Sequence, residues 1–393
     1  MKEDPIVITA ARRTPIGAFL GALSPVSATS LGAAAIRAAL GDAGVEGGEV
    51  SEVFMGCVLP AGLGQAPARQ AALEAGLPAS TPCTTVNKVC GSGMKTVMLA
   101  HDLIAAGSAD IVVAGGMESM SNAPYLMPKA RAGYRMGHQQ VLDHMFFDGL
   151  QNPYDGNMMG KFAEDTADRY GFSREAQDEF ATASVRRALD ATESGAFAGE
   201  IVAVTAKTRK GETTVERDEE PFNCNIDKIP TLRPAFRTDG TVTAASSSSI
   251  SDGAAALVLM RASEARRRGT PPLARIVGHS GFAQAPEWFT TAPVFAIRAL
   301  HEQLGWSPGD VDLYEVNEAF AVVAMAAMRD VGIPHDKFNV HGGACALGHP
   351  IGATGARLVV TLLHALRNRE LGRGVASLCI GGGEATAIAV EMA

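Results

Sequence analysis

The order of elements in the first part of this 393-residue chain recurs near its end, and that repetition constrains the fold more than any other feature. Each copy opens on a short apolar run, Ile6-Val7-Ile8 and then Ala274-Arg275-Ile276-Val277. A helix pattern follows. In the first copy Leu31, Ala34, Ala35 and Ala38 recur at helical spacing, with Thr29 suited to the N-cap and Gly41 standing past the end; residues 294–304 take that part in the second. Alternating stretches come next, 51–56 and 312–317. Each copy then has a Gly-rich turn entering an apolar helix, CGSGMKTVMLAHDLIAAG from Cys90 and GHPIGATGARLVVTLLHAL from Gly348. Each closes on a strand ending in glycines, at Gly115-Gly116 and Gly381-Gly382-Gly383. Alternating strands and helices specify an α/β architecture of two similar halves, and halves packed about a pseudo-two-fold bring equivalent turns to one site.

Residues 121–249 interrupt the repeat. They are rich in Met, Gly, Asn, Pro and charge, and predict one helix over 174–191 with Ser173 as N-cap. An insertion on a rigid scaffold often carries a binding surface, though a passive elaboration fits the same pattern. With single cores ceasing to grow near ~250–300 residues, more than one structural unit is expected. Hydrophobic residues at 47% and charged residues at 19% place the chain with soluble globular proteins. The net charge is −8 and the longest basic run, Arg266-Arg267-Arg268, reads as a solvated helix end, which argues against a nucleic-acid partner. An anionic ligand would need local positive features. The opening MKEDPIVITAARRTPIG lacks a secretory pattern, no apolar stretch approaches the ~18–20 residues that span a bilayer, and the last three residues are not a peroxisomal signal. The expectation is a cytoplasmic protein with no membrane partner.

The six cysteines show no Cys-x-x-Cys spacing, so free thiols are expected, buried or catalytic. Cys90, in Asn87-Lys88-Val89-Cys90-Gly91-Ser92-Gly93, directly precedes an apolar helix, where the macrodipole would favour its thiolate and lower its pKa. On this heptad alone a buried structural cysteine fits equally well. His349, in GHPIGATG, also stands at a helix start, with Pro350 suited to the first turn. An imidazole there can take a proton from a thiol or donate to an oxyanion. Cys379 ends a strand ahead of three glycines, and Asn317 opens Asn317-Glu318-Ala319-Phe320 after another; in isolation each passes as an ordinary strand or loop residue.

Together the ordered set NKVCGSG, GGMESMS, NEAF, GHPIGATG and CIGGG resembles the thiolase family over essentially the whole chain, closest to its acetyl-CoA acetyltransferase branch. The resemblance implies a thiolase-like α/β fold: two similar βαβαβαββ halves packed as a five-layer α-β-α-β-α core, with an inserted loop domain. The expected units are an N-terminal half of residues 1–120 and 250–271, a substrate-binding loop domain of 121–249 and a C-terminal half of 272–393. By similarity Cys90 becomes acylated, His349 activates it, and Cys379 removes the α-proton of a second acetyl-CoA. Two oxyanion holes are implied, one from His349 with a water held by Asn317, the other from the backbone N–H groups of Cys90 and Gly381. Ser248 aligns with a pantetheine contact; Met159, Ala319 and Phe320 align with the acyl site.

The implied activity is reversible condensation of two acetyl-CoA to acetoacetyl-CoA plus CoA, with acyl-CoA substrates, no cofactor, no metal and a homotetrameric assembly. The chain departs from the family at Met158, where many relatives have His, at His341, where many have Asn, and around Pro221-Phe222-Asn223, which lacks an Arg that some place near the CoA nucleotide. His341, Cys57, Cys83, Cys224 and Cys345 read as structural, and Cys345 with His349 lacks the further ligands of a metal site. The alternatives are a 3-ketoacyl-CoA thiolase of broader chain length and, from another class, a non-catalytic lipid-binding protein on the same scaffold. The latter need not retain both cysteines and the histidine. A ketoacyl-carrier-protein synthase is disfavoured, since a Cys-His-His set is expected there.

Overall fold

The structure, a computed structural model, describes residues 4–209 and 211–393. Of the N-terminal sequence discussed above, residues 1–3 lie outside the described residues. The first half runs β1 (Ile6–Arg13), α1 (Ala28–Ala43), β2 (Glu52–Gly56), α2 (Pro67–Ala75), β3 (Cys83–Val86), α3 (Ser92–Ala105) and β4 (Ile111–Ser119). After the insertion β5 (Ser251–Arg261) returns between β1 and β4, antiparallel to both. The insertion contributes α4 (Met159–Tyr170) and α5 (Arg174–Glu193). The second half runs β6 (Ala274–Ala283), α6 (Ala292–Leu304), β7 (Leu313–Val316), α7 (Ala321–Val331), α8 (Thr354–Asn368), β8 (Arg373–Ile380) and β9 (Glu384–Met392). The counterpart of β3 in this half is reduced to a single parallel bridge, Tyr314 to Phe338.

Hydrogen bonding runs in the order β7-β8-β9-β6-β1-β5-β4-β2-β3 through one ten-stranded sheet, completed by the two-residue strand Gly17–Ala18 against β5. Among the described residues β1 pairs with β6 at Val7 with Arg275 and Ile8 with Ala274, a short seam between the two halves of that sheet. Three apolar clusters mark the layers. One lies between α1, α2 and the first half-sheet, with Leu31, Ile36 and Val113 fully buried. A second surrounds the central helices α3 and α8, with Val97, Leu358 and Leu378. The third lies under α6 and α7. Helix, sheet, helix pair, sheet, helix is the five-layer core.

The central helix α8 buries every residue from Thr354 to Leu366, and α3 buries its N-terminal part against it. They pack backbone to backbone because glycines face each other. A Cβ on Gly93 would lie 2.7 Å from the Ala356 nitrogen, and one on Gly355 would lie 2.3 Å from the Met94 nitrogen. Real Cβ atoms do not approach backbone so closely, so only glycine allows this spacing.

The sequence reading misplaced two helix ends. Ser27, not Thr29, caps α1, its side chain accepting from the Ser30 N–H, and Thr29 lies within the first turn. The helix also continues through Gly41 and stops at Gly44, whose left-handed φ of 60° closes it. Ser173 does cap α5, accepting from the Ala176 N–H, and the helix extends to Glu193. Among the described residues no helix is long and apolar enough to cross a membrane.

Candidate active site

The turn from β3 into α3 is held by its own side chains. Asn87 Oδ1 accepts from the Val89 N–H at 2.9 Å. Ser92 Oγ accepts from the Lys88 N–H at 2.8 Å and donates to the Val89 carbonyl at 2.6 Å. These bonds keep Val89 at φ 46°, a conformation β-branched residues rarely adopt, immediately before Cys90. Gly91 lets the turn close on the end of β8, since a Cβ there would fall 2.4 Å from Ile380 Cδ1. Lys88 and Glu384 form an ion pair across the same junction. Cys90 is thereby fixed against the strand that carries Cys379 and the turn after it that carries Gly381.

The sequence reading expected a lowered thiol pKa at Cys90, and the site has the opposite sign. Helix α3 starts at Ser92 with Gly91 as its cap, and the half-buried Cys90 side chain packs among apolar groups. Burial pushes the thiol up to about 11, while backbone N–H groups of Gly381 and Cys90 itself pull it the other way. Those two N–H groups face the sulfur, the arrangement required of an oxyanion hole at a carbonyl bonded there.

His349 is not at the helix start either. Its backbone N–H donates to the Ser249 carbonyl at 3.0 Å, and a turn from Pro350 separates it from α8, which begins at Thr354. Pro350 therefore heads a turn whose carbonyl accepts from the Ala353 and Thr354 N–H groups, and does not occupy the first helical turn. The ring is buried, with Nδ1 2.6 Å from Thr354 Oγ1, and that hydroxyl reaches the Pro350 carbonyl at 2.9 Å. Burial, helped by the nearby Arg357 guanidinium, lowers the imidazole pKa to about 3, so His349 is neutral near pH 7.

Asn317 is fully buried after β7, and its Nδ2 lies 3.5 Å from His349 Nε2. Its Oδ1 meets no protein donor. Cys379 is also fully buried, and burial together with the neighbouring Cys90 raises its pKa well above the ordinary thiol range. It packs with Met159, Phe289, Ala319 and Phe320 in one cluster.

Cys90, His349 and Gly381 open onto a cavity of about 190 Å³, walled also by Met158, Met159, Ser248, Ala319 and Phe320. Thus seven of the nine residues singled out from sequence line one cavity, while Asn317 and Cys379 lie behind its wall. The serine segment is stitched to the NEAF loop: Ser248 N–H donates to the Ala319 carbonyl at 3.0 Å and Ala321 N–H to the Ser246 carbonyl at 2.8 Å. Phe320 stands edge-on to Phe236 and Phe289, with ring centroids 5.8 and 6.5 Å away. Phe236 in turn fills the space above Gly160, where a Cβ would come within 2.3 Å of its ring. Cys345 and His349 do not converge, since the thiol donates to the Glu318 carbonyl while the imidazole engages Thr354.

Sequence reasoning missed two buried carboxyls that set the loops. Glu118, in the GGMESMS motif, accepts from the N–H groups of Val58 (2.9 Å), Leu59 (3.2 Å) and Gly352 (2.9 Å), joining the His349 turn to the loop after β2. Burial raises it to about 7 against those bonds. Glu318 of NEAF accepts from Asn339 Nδ2, Ser184 Oγ and the Cys345 N–H at 2.8, 2.7 and 3.1 Å, and burial raises it too. The only sequence signal was their place inside Gly- or Asn-containing motifs. Thr354 and the Met158 wall were likewise unassigned.

The thiolase N-terminal domain profile matches residues 6–263, and the thiolase C-terminal domain profile matches 270–392. The chain is similar to an acetyl-CoA acetyltransferase of Cupriavidus necator, 49% identical over 388 residues that cover 98% of this chain and 99% of that protein. It is 50% identical to acetyl-CoA acetyltransferase 1 of Arabidopsis thaliana, with 100% and 95% covered. Its structure superposes on that of the Acat5 thiolase of Ascaris suum in complex with coenzyme A with a TM-score of 0.94, at 39% identity and with 99% and 100% covered. With the two-half core, the paired glycine turns and both domain profiles in agreement, the chain belongs to the thiolase family.

Proposed function

We propose that this thiolase is an acetyl-CoA C-acetyltransferase that reversibly condenses two acetyl-CoA to acetoacetyl-CoA plus CoA. The observation that carries the reading is the convergence of Cys90, neutral His349 and the Gly381 N–H on one small cavity, with Cys379 and Asn317 directly behind it. Similarity to proteins named acetyl-CoA acetyltransferases, at 49% and 50% identity over nearly the full chain, supports the same substrate.

In the first half-reaction His349 Nε2 takes the Cys90 proton as the sulfur attacks the thioester carbonyl. The N–H groups of Cys90 and Gly381 hold the oxyanion, and Cys379 gives its proton to the departing CoA thiolate, so that His349 keeps the Cys90 proton and Cys379 becomes the thiolate base. In the second, Cys379 removes an α-proton from a new acetyl-CoA. Asn317 and a protonated Nε2 of His349 stabilise the enolate oxygen, the latter directly and the former through a bound water. The enolate carbon attacks the acetyl carbonyl on Cys90, the carbon–sulfur bond breaks, and the released Cys90 thiolate takes back the proton held on His349 Nε2, which restores the neutral imidazole. A cysteine base suits this step because an unpaired thiolate in so apolar a place is strongly basic.

The Met158, Met159 and Phe320 wall and the 190 Å³ volume favour an acetyl over a long acyl group. Ser248 is assigned to the pantetheine arm. Substrates are acyl-CoA molecules, with no nucleic-acid or membrane partner, no prosthetic group in the reaction and a cytoplasmic setting. The deciding experiment is a kcat/KM series for thiolysis of 3-ketoacyl-CoAs. Acetoacetyl-CoA is expected to exceed 3-ketodecanoyl-CoA by at least ~10²-fold, a difference of the size pocket exclusion supplies. Equal values would install the broad 3-ketoacyl-CoA thiolase, and no turnover of any would install the lipid-binding reading.

A further inference from the structure

Far from the cavity, the outer ends of the two halves bring three ligand-type side chains together. His101 and Asp102 stand on α3 and His279 on β6, so the group bridges the first half to the second. His101 Nδ1 lies 3.0 Å and His279 Nε2 lies 2.9 Å from the same oxygen, Asp102 Oδ1. All three ligand atoms fall within 4.8 Å of one another, and the imidazoles stand edge to face with centroids 5.2 Å apart. Both nitrogens are thus aimed at one point.

We propose that His101, Asp102 and His279 form a divalent transition-metal site, suited to Zn²⁺, that clamps the N-terminal half to the C-terminal half. Imidazole nitrogen and carboxylate oxygen at bond lengths of ~2.0–2.1 Å are the usual donors for such an ion. At those lengths neighbouring ligand atoms are ~2.9 Å apart at right angles and ~3.3 Å apart in a tetrahedron. The 2.9 and 3.0 Å separations seen here need only a slight opening to admit the ion. Asp102 is half exposed, and His101 borders an open cleft of about 740 Å³, which leaves room for water ligands. The cleft's arginines do not oppose the charge freely. Arg275 and Arg373 both pair with Glu391, and Arg261 donates to the carbonyls of Ile104 and Ala105. A clamp here acts on the junction where, among the described residues, β1 and β6 pair at just Val7–Arg275 and Ile8–Ala274.

The test is calorimetric titration of the metal-free enzyme with Zn²⁺, with Co²⁺ absorption to identify the donors. The wild type should bind one Zn²⁺ per chain, melt at higher temperature when saturated, and show Co²⁺ bands without thiolate charge transfer. His279→Ala and Asp102→Asn should each weaken binding at least ~10-fold and abolish the melting shift, with thiolysis activity retained. Two variants guard against one that fails to fold. No binding by the wild type, unchanged affinity in a folded variant, or a thiolate charge-transfer band that places the metal on the cysteines would each overturn the site.

Discussion

His349 Nδ1 and the Pro350 carbonyl share one neighbour, the Thr354 hydroxyl, at 2.6 and 2.9 Å. A hydroxyl has one proton to give. Directed to Pro350, it leaves Oγ1 to accept from Nδ1–H, and Nε2 is a bare base facing the cavity. Directed to Nδ1, it demands the other tautomer, and Nε2–H becomes a donor. The proposed reaction asks His349 for both roles, and the first arrangement serves them in turn, since Nε2 is a bare base until it takes the Cys90 proton and a donor while it holds it.

Thr354→Val should therefore lower kcat by roughly 10–100-fold, the cost of leaving a buried imidazole nitrogen without its partner being about 1–3 kcal/mol. The KM for acetyl-CoA should stay within about twofold, since Thr354 touches the base and not the ligand. Thr354→Ser, which restores the hydroxyl, should recover most of the rate. Steady-state kinetics of the pair decides the matter, and an equal loss in Ser and Val would assign Thr354 to packing alone.

The raised Cys90 thiol and depressed His349 imidazole fix a pH signature for the free enzyme. With His349 near 3, its titration falls well below the window between pH 6 and 9. With Cys90 near 11, the thiolate fraction climbs tenfold per pH unit throughout that window. Alkylation by iodoacetamide, followed on the Cys90 peptide, should rise with unit slope from pH 6 to 9. A plateau below pH 8 would place the thiolate at equilibrium beside a protonated His349.

The two cysteines should separate by mass spectrometry. Mixed with acetyl-CoA, Cys90→Ala should form no acetyl-enzyme. Cys379→Ala should still acetylate at residue 90 while condensation falls ~10²–10⁴-fold, the usual worth of a general base. His349→Ala should impair both steps. An adduct kept by the Cys90 variant and lost by the Cys379 variant would reverse the assignment.

These residues differ in how far sequence exposed them. Cys90 and His349 stood out because each sits in a Gly-rich turn ahead of an apolar helix and the repeat equates the turns. What the turns do to their ionisation was not legible, because burial overrides the helix dipole and, at Cys90, comes from distant segments such as Leu59, Met120 and Ile351. Asn317 and Cys379 gained meaning only from the resemblance. Glu118 and Glu318 stayed hidden, since a buried carboxyl that accepts from two or three separate segments looks in sequence like any acidic residue. The helix ends at Ser27 and Gly44 were missed because small residues at 27–30 and 41–44 offer several competing caps. Helix α4 escaped notice in an insertion for which the sequence predicted one helix, over 174–191.

Assembly has its own test. The excursion after β4 exposes Tyr125, Met127, Met136 and Val141, at 66, 57, 93 and 57%. Apolar side chains so displayed suit a protein interface. The homotetramer proposed from the family resemblance would scatter light as about four 40.8 kDa chains. Replacing Met127 and Val141 together by Ser should shift it toward smaller species without unfolding the chain. A wild-type monomer at micromolar concentration would dispose of the proposal.

The glycine contact between α3 and α8 reaches beyond packing. Cys90, the proposed nucleophile, directly precedes the cap of α3, and His349, the proposed base, stands one turn ahead of α8, so neither half by itself holds the proposed site. The spacing between Cys90 and His349 is set by two backbones with no side chain to yield between them. Loosening the contact by a few tenths of an ångström would uncouple the pair while every strand and helix remained in place. On gentle heating, activity should accordingly vanish before circular dichroism changes: the molecule would lose its alignment while it still has its shape.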